Sequence, residues 1–286
     1  MKILLIMLSI SFLGFAGQKR DSRIYGPDYS EIVRSLEKLS IDYPKNAKLI
    51  QYGKGEAGND LYGIFIKDET IKTTKVSLIT GAHHGNEYLN IADRLPELIL
   101  NDIKSNSKNF KSYIQSGGSF FIAPIINPYG YQERTRANSR TQDLNRDYPL
   151  IGKPNTGFQH SEVRDLDLFI KSKLNSLNAK LVFTLDYHCC NGARGKGAVI
   201  WTNNFDREKS RKKMYFKMRD ILKSNLSGLT AGTAMDIVGY DPKGTSNDYW
   251  DNYFGAYSLV FEGQQGKEDK KLKKHYKSLA DIFTLF

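Results

Sequence analysis

The sequence predicts an α/β fold: a single three-layer α/β/α domain on a central mixed, mostly parallel twisted sheet. Three observations predict it. Strand-like and helix-like runs alternate along the chain. The strand-like runs are apolar on both faces, which suits strands covered from both sides. The polar clusters fall where those strands end, at 83–87, 127–146, 186–192 and Glu262. Open α/β sheets gather function at the carboxyl ends of their strands.

Residues 27–44 space Ile32, Leu36 and Leu39 on one helical face, and Pro44 stops the helix. LYGIFI (61–66) and KVSLIT (75–80) read as strands. Residues 87–103 read as a helix, with Pro96 as a kink. SFFIAPIIN (119–127) reads as a buried strand, 161–174 as an amphipathic helix and AKLVFTLDYH (179–188) as another strand. Residues 207–226 read as a helix with a very basic face, AYSLVFEG (256–263) as a strand and 267–286 as a closing helix. His160 and His275 fall on helical runs away from the polar clusters and are expected at the surface. No repeat, low-complexity tract or linker divides the chain.

Residues 1–16 read as a secretory signal peptide: Lys2, an apolar run from Ile3 to Phe15, and small residues at a cleavage point before Gly17. The run is too short for a stable membrane span, and no cysteine follows to take a lipid. Residues 17–286 are then one catalytic domain, secreted or periplasmic, with no integral membrane segment after signal removal. Cys189 and Cys190 are the only cysteines, which excludes a disulfide framework and leaves a vicinal disulfide or two thiols. The formal net charge is +11, or +10 without Lys2, and favours anionic surfaces. The basic residues are dispersed and not interleaved with aromatics, so nucleic acid is not expected as a partner.

The chemistry concentrates in GAHHGNEYLN (81–90). His84 and Glu87 form an H-x-x-E pair at the end of a strand, and residues three apart on a helix-opening turn can reach one ion. His188, ending LVFTLDYH, is a third candidate. Catalytic zinc takes about three protein ligands and keeps an open position. Alone, an H-x-x-E pair suits equally a polar turn that binds nothing. Asp186, two residues before His188, either orients a ligand or merely ends the strand.

The set as a whole resembles the zinc carboxypeptidases of the carboxypeptidase A type, from about residue 27 onward. HGNE is similar to the family's H-x-x-E. INPYGYQERTRAN resembles its N-P-D-G segment, with Tyr129 in place of Asp. RANSRTQDLNRDYP (136–149) resembles R-x-N-x-x-G-x-D-L-N-R-N-F-P, departing at Thr141 and at Asp147-Tyr148. The resemblance implies a zinc carboxypeptidase-like fold and one Zn2+ per chain on His84, Glu87 and His188. It implies Glu262 as general base and Arg136 as the cation that stabilises the developing oxyanion. Arg136 stands among Arg134 and Arg140, and its spacing to Asp143 selects it. The resemblance further implies Asn145 and Arg146 on the substrate's C-terminal carboxylate, and Tyr240 as a capping tyrosine. It places His83 at the strand end or behind the site.

Only about ten residues separate Gly17 from the first family-like helix, and 24 follow Glu262. A minimal bacterial-type form is expected, without prodomain or extra β-sandwich domain, acting as a monomer. In the family, the residue before the substrate-loop Asp sets preference. Here Asn247 precedes Asp248, which suits a polar or zwitterionic side group. Three readings follow. The first is a carboxypeptidase acting on peptides with a free C-terminal carboxylate. The second is a peptidoglycan stem-peptide carboxypeptidase or amidase acting on diaminopimelate-containing muropeptides. The third is a non-catalytic peptide- or cell-wall-binding protein.

Overall fold

The computed structural model describes residues 26–105, 108–189, 197–263 and 272–286. The expected signal peptide (1–16) and Cys190 lie outside them. The expected fold is found: one eight-stranded mixed sheet with helices on both faces. The strands are β1 (Ala47–Lys54), β2 (Asp60–Ile66), β3 (Lys75–Gly81), β4 (Gly118–Ala123), β5 (Lys180–Cys189), β6 (Ala198–Trp201), β7 (Thr230–Thr233) and β8 (Tyr257–Gly263). Their order is β1-β2-β4-β3-β5-β8-β6-β7. The centre, β4-β3-β5-β8, is parallel. Antiparallel pairing flanks it: β1 with β2, β2 with β4, and β6 with β8. The outermost pair, β6 with β7, is again parallel.

The described helices are α1 (Tyr29–Asp42), α2 (Leu95–Ser105), α3 (Lys108–Gln115), α4 (Pro128–Glu133), α5 (Ser161–Leu177), α6 (Lys209–Asn225), α7 (Ala234–Val238), α8 (Ser246–Phe254) and α9 (Leu272–Phe283). α1 starts with the Glu31 carboxylate accepting the Asp28 N–H at 2.9 Å, a capping interaction. Leu36 is buried, as are Ile99 and Leu100 of α2, Phe110 of α3, Met218 of α6 and Leu279 of α9, all on one face of the sheet. Val163, Leu166 and Ile170 of α5 pack with Tyr249 and Trp250 of α8 on the other. β4 shows the period of two: Phe120 and Ile122 enter the first core, Phe121 and Ala123 the second.

Several expectations need correction. Residues 87–94 are turns, and helix begins only at Leu95. Pro96 therefore sits in the first turn of α2, where its missing N–H costs nothing, and makes no kink. β1, β6, β7 and the short helices α3, α4, α7 and α8 were not foreseen. β1, at the sheet edge, mixes buried, half-buried and exposed residues without a strict period of two, and β6 and β7 are four residues each. Such segments carry little periodicity. His275 is buried and not at the surface. The Tyr187 hydroxyl lies 2.6 Å from its Nε2. His160 is half-buried and precedes α5 at the N-cap position.

A buried ion pair ties α6 to α8. Asp251 is wholly buried and receives Arg207 Nη1 at 2.7 Å together with Arg211 Nη2. Arg211 also donates to the Gly255 and Ala256 carbonyls at 2.9 Å each. This fixes the start of β8, the strand that ends at Glu262.

Candidate active site

The carboxyl ends of β3, β5 and β8 meet at one rim of the sheet. After Gly81, Ala82 takes a left-handed conformation, with φ of 49°. The chain then turns, and the Glu87 N–H bonds the His84 carbonyl at 2.9 Å. His83 is swallowed by the core, while His84 lines a cavity of about 270 Å³. Gly85 allows this. A Cβ there would stand 1.9 Å from the Gly130 backbone, so the HGNE turn can press on α4 only without a side chain. Asn127 completes the contact. Its side-chain oxygen caps α4 at the Gly130 N–H, and its Nδ2 reaches the His83 carbonyl at 3.3 Å.

His188 is the ninth residue of β5 and stands in register beside Glu262 of β8. Its Nδ1 lies 3.1 Å from His84 Nδ1 and 3.0 Å from Glu87 Oε2, and His84 Nδ1 lies 2.9 Å from the same oxygen. Three donors at zinc-bond lengths on a tetrahedral ion stand about 3.3 Å apart. The triangle is slightly tighter than that, so these three atoms fit one zinc ion. Both imidazoles are held from behind: His84 Nε2 lies 3.0 Å from Asp143 Oδ1, and His188 Nε2 lies 2.8 Å from Asp186 Oδ2. Carboxylates behind ligand imidazoles aim the opposite nitrogen at the ion. Burial would raise the Glu87 carboxyl, but hydrogen bonds from His188 and His84 outweigh it and bring its pKa down to about 2. An ionised carboxylate is what a metal needs.

A second grouping, His83, Asp186 and His188, also brings donor atoms together. It uses the far side of His188, and neither His83 nor Asp186 lines the cavity. A catalytic metal needs an open position, so the His84 grouping is the candidate.

Arg136 spans two acids, with Nη1 on Glu87 Oε1 at 3.0 Å and Nε and Nη2 on Asp143 Oδ2 at 3.0 and 2.9 Å. It remains half-exposed and lines the cavity. Arg146, on the helical turn Leu144–Arg146, places Nη2 3.1 Å from the Tyr240 hydroxyl; Tyr240 is half-exposed. Asn145 also lines the cavity, but its amide is turned inward. Its Oδ1 accepts the Ser246 N–H at 2.8 Å, and its Nδ2 lies 3.4 Å from His188 Nε2. Burial pushes the Glu262 carboxyl above the ordinary range, against the pull of the His188 imidazole. Among the described residues it takes no hydrogen bond.

Two features were not foreseen. Ile200, Trp201 and Val260 form an apolar wall of the cavity. Asn203 and Asp248 line the same cavity as Asn247. Asp248 Oδ1 is buried without a well-formed hydrogen bond among the described residues, and burial raises its pKa. Asn203 and the wall residues lie in or beside short β6, which has no motif to mark it. Cys189 is buried, disulfide-bonded and lines the cavity.

The fold and the site define a class: an α/β protein with a His-Glu-His group that could hold a metal ion, in an open cavity beside a buried carboxylate. The chain matches the family profile of zinc carboxypeptidases over residues 32–277 and belongs to that family, one of zinc-dependent peptidases. Solved structures agree in fold. Bovine thrombin-activatable fibrinolysis inhibitor, solved with tick carboxypeptidase inhibitor, superimposes with a TM-score of 0.70 at 16% identity, covering 92% of this chain and 97% of that one. Carboxypeptidase A from Helicoverpa armigera gives 0.69 at 14%, covering 91% and 73%. A metallo-carboxypeptidase from Burkholderia cenocepacia gives 0.67 at 15%, covering 90% and 69%. In sequence, the chain is 31% identical to carboxypeptidase B of Astacus astacus over 110 residues, 36% of this chain. That match spans only 33% of the crayfish protein. No helix among the described residues is long and apolar enough to cross a membrane.

Proposed function

We propose that the chain is a secreted or periplasmic zinc metallocarboxypeptidase, one Zn2+ per chain, that releases the C-terminal residue of peptides. Residues 17–286 form its catalytic domain once 1–16 are removed, and it acts as a monomer. One observation carries the reading: the His84–Glu87–His188 triangle opens on the same cavity as Glu262 and Arg146.

Bound zinc supplies Lewis-acid polarisation of the scissile carbonyl and activation of water. Glu262 takes the proton of the attacking water and passes it to the leaving amine, a transfer suited to a carboxylate whose pKa burial has raised. Arg136 faces the negative charge that grows on the carbonyl oxygen. Arg146 holds the substrate's terminal carboxylate through its planar fork, which sets the cut one bond from the end. Asn145 acts beside it, by seating the start of α8 more than by direct contact. Tyr240, already on Arg146, closes over the bound end.

Asn247, Asn203 and the Asp248 carboxylate make a polar floor beneath an apolar wall. That floor favours a terminal side group bearing an amine, and so supports the diaminopimelate-type stem peptide as the second reading.

The test is metal analysis together with mass spectrometry of products from mixed peptides and muropeptides. Stoichiometric zinc and loss of single C-terminal residues are expected. Glu262→Gln should keep zinc and lose turnover by two to four orders of magnitude. Zinc without cleavage of either substrate set would leave only a binding protein.

A further inference from the structure

Behind the metal triangle lies a polar knot that the proposed reaction does not use. The Asp186 carboxylate is buried and is approached by four groups. Its Oδ1 accepts from Thr80 Oγ1 and lies beside His83 Nδ1, each at 2.9 Å. Its Oδ2 accepts from Ser246 Oγ and lies beside His188 Nε2, each at 2.8 Å. His83 Nε2 is in turn 2.8 Å from the Tyr148 hydroxyl. His83 and Ser246 are also buried.

The topology makes this more than local satisfaction. Ser246 is the first residue of α8, and Asn247 and Asp248, which follow it, line the cavity. The Ser246 hydroxyl is on Asp186, and its N–H is on Asn145 Oδ1. One carboxylate oxygen is therefore shared between a candidate metal ligand, His188, and the segment that shapes the floor of the substrate cavity. Asp186 can hold both at once because each bond comes from a group with no other outlet in a water-excluded interior.

We propose that Asp186 and Ser246 are positioning residues that hold His188 and the Asn247-Asp248 floor in one fixed relation, with His83 anchoring Asp186 from the far side. The proposal rests on the metal reading above. Asp186 sets His188 with Nδ1 toward the ion. Ser246, bonded to the same oxygen, sets the height of the floor against that ion. A substrate seated on the floor is then presented to the metal at a distance that the knot fixes.

The experiment compares the full chain with Asp186→Asn, Ser246→Ala, Ser246→Thr and His83→Ala. Zinc affinity is measured by chelator competition, the cobalt-substituted forms by visible absorption, and KM and kcat on a peptide that the wild type cleaves. Asp186→Asn is expected to weaken zinc binding 10- to 100-fold and to shift the cobalt spectrum. Ser246→Ala is expected to weaken zinc binding by a smaller factor and to raise KM, both together. Ser246→Thr, which keeps the hydroxyl, should restore both. His83→Ala should keep one zinc per chain at reduced affinity. If Asp186→Asn does not fold, the two Ser246 variants carry the test alone. Wild-type zinc affinity in Asp186→Asn, or a KM change in Ser246→Ala with zinc affinity untouched, would overturn the proposal while leaving the metal reading intact. A wild-type protein that takes up no zinc overturns both.

Discussion

Arg146 lines the cavity with Nη1 on the Asn145 carbonyl at 2.7 Å and Nη2 on Tyr240, so its guanidinium plane is held in place. A planar fork matches a carboxylate in a way that a lysine ammonium cannot. Arg146→Lys keeps the charge and loses the fork. Steady-state kinetics should show kcat/KM on free-carboxylate peptides falling about 100-fold, mainly through KM. The twin histidines are resolved at the same scale. His84 and Glu87 carry a spacing that the sequence displays openly, and that spacing sets His84 apart from His83. The left-handed Ala82 agrees with it, turning one ring into the core and the other into the cavity. Asp186 was readable only as an option. Its choice depends on Thr80, His83 and Ser246, which lie up to 106 residues away.

Among elements, the HGNE turn and α4 depend on one another. Gly85→Ala would drive a methyl group into the Gly130 backbone. Thermal melts should show a loss of about 1–3 kcal/mol, and zinc affinity should fall with it, since His84 and Glu87 flank the displaced residue. The link between α6 and α8 makes a separate prediction. Arg211→Ala strips a buried Asp251 of one cation and leaves two carbonyls without their donor. Denaturant unfolding should give a loss of about 3 kcal/mol or more. The elements legible in sequence were the long, strongly patterned ones: α1, α5, α6 and the central strands. The expected helix over 87–103 failed in its first half. Residues 87–94 continue the HGNE turn as irregular and turn structure, and Pro96 supplies a start and not a bend.

Across the whole molecule, α9 covers the sheet beneath the site and carries His275 into an apolar setting against Phe261 and Tyr187. Burial drives its pKa from 6.5 down to about 3, so it is neutral when folded. The unfolded chain takes up that proton near pH 6.5, and the folded chain does not until about pH 3. Its contribution to stability is therefore complete above pH 6.5 and is lost as pH falls through that window, by about 1.4 kcal/mol per pH unit. His275→Gln should flatten this slope, read as the difference between the two proteins' unfolding free energies from pH 7 to pH 4. Equal slopes would show that His275 is not buried as the structure has it.

The sequence by itself determined the fold class and the family resemblance and, through that resemblance, the expected site residues, from His84 and Glu87 through Arg136 and Arg146 to His188 and Glu262. The fold class could be read because strand and helix periodicity is local, repeating within a few residues, and the site residues because each sits in a short motif that resembles the family's. Tertiary structure alone decided that His83 meets Asp186 and Tyr148, that Asn145 turns its amide toward Ser246, and that Asn203 and Asp248 line the same cavity as Asn247. Each depends on pairings between segments some 40 to more than 100 residues apart, and the free energy of burying a polar group with its partner has no counterpart in local sequence.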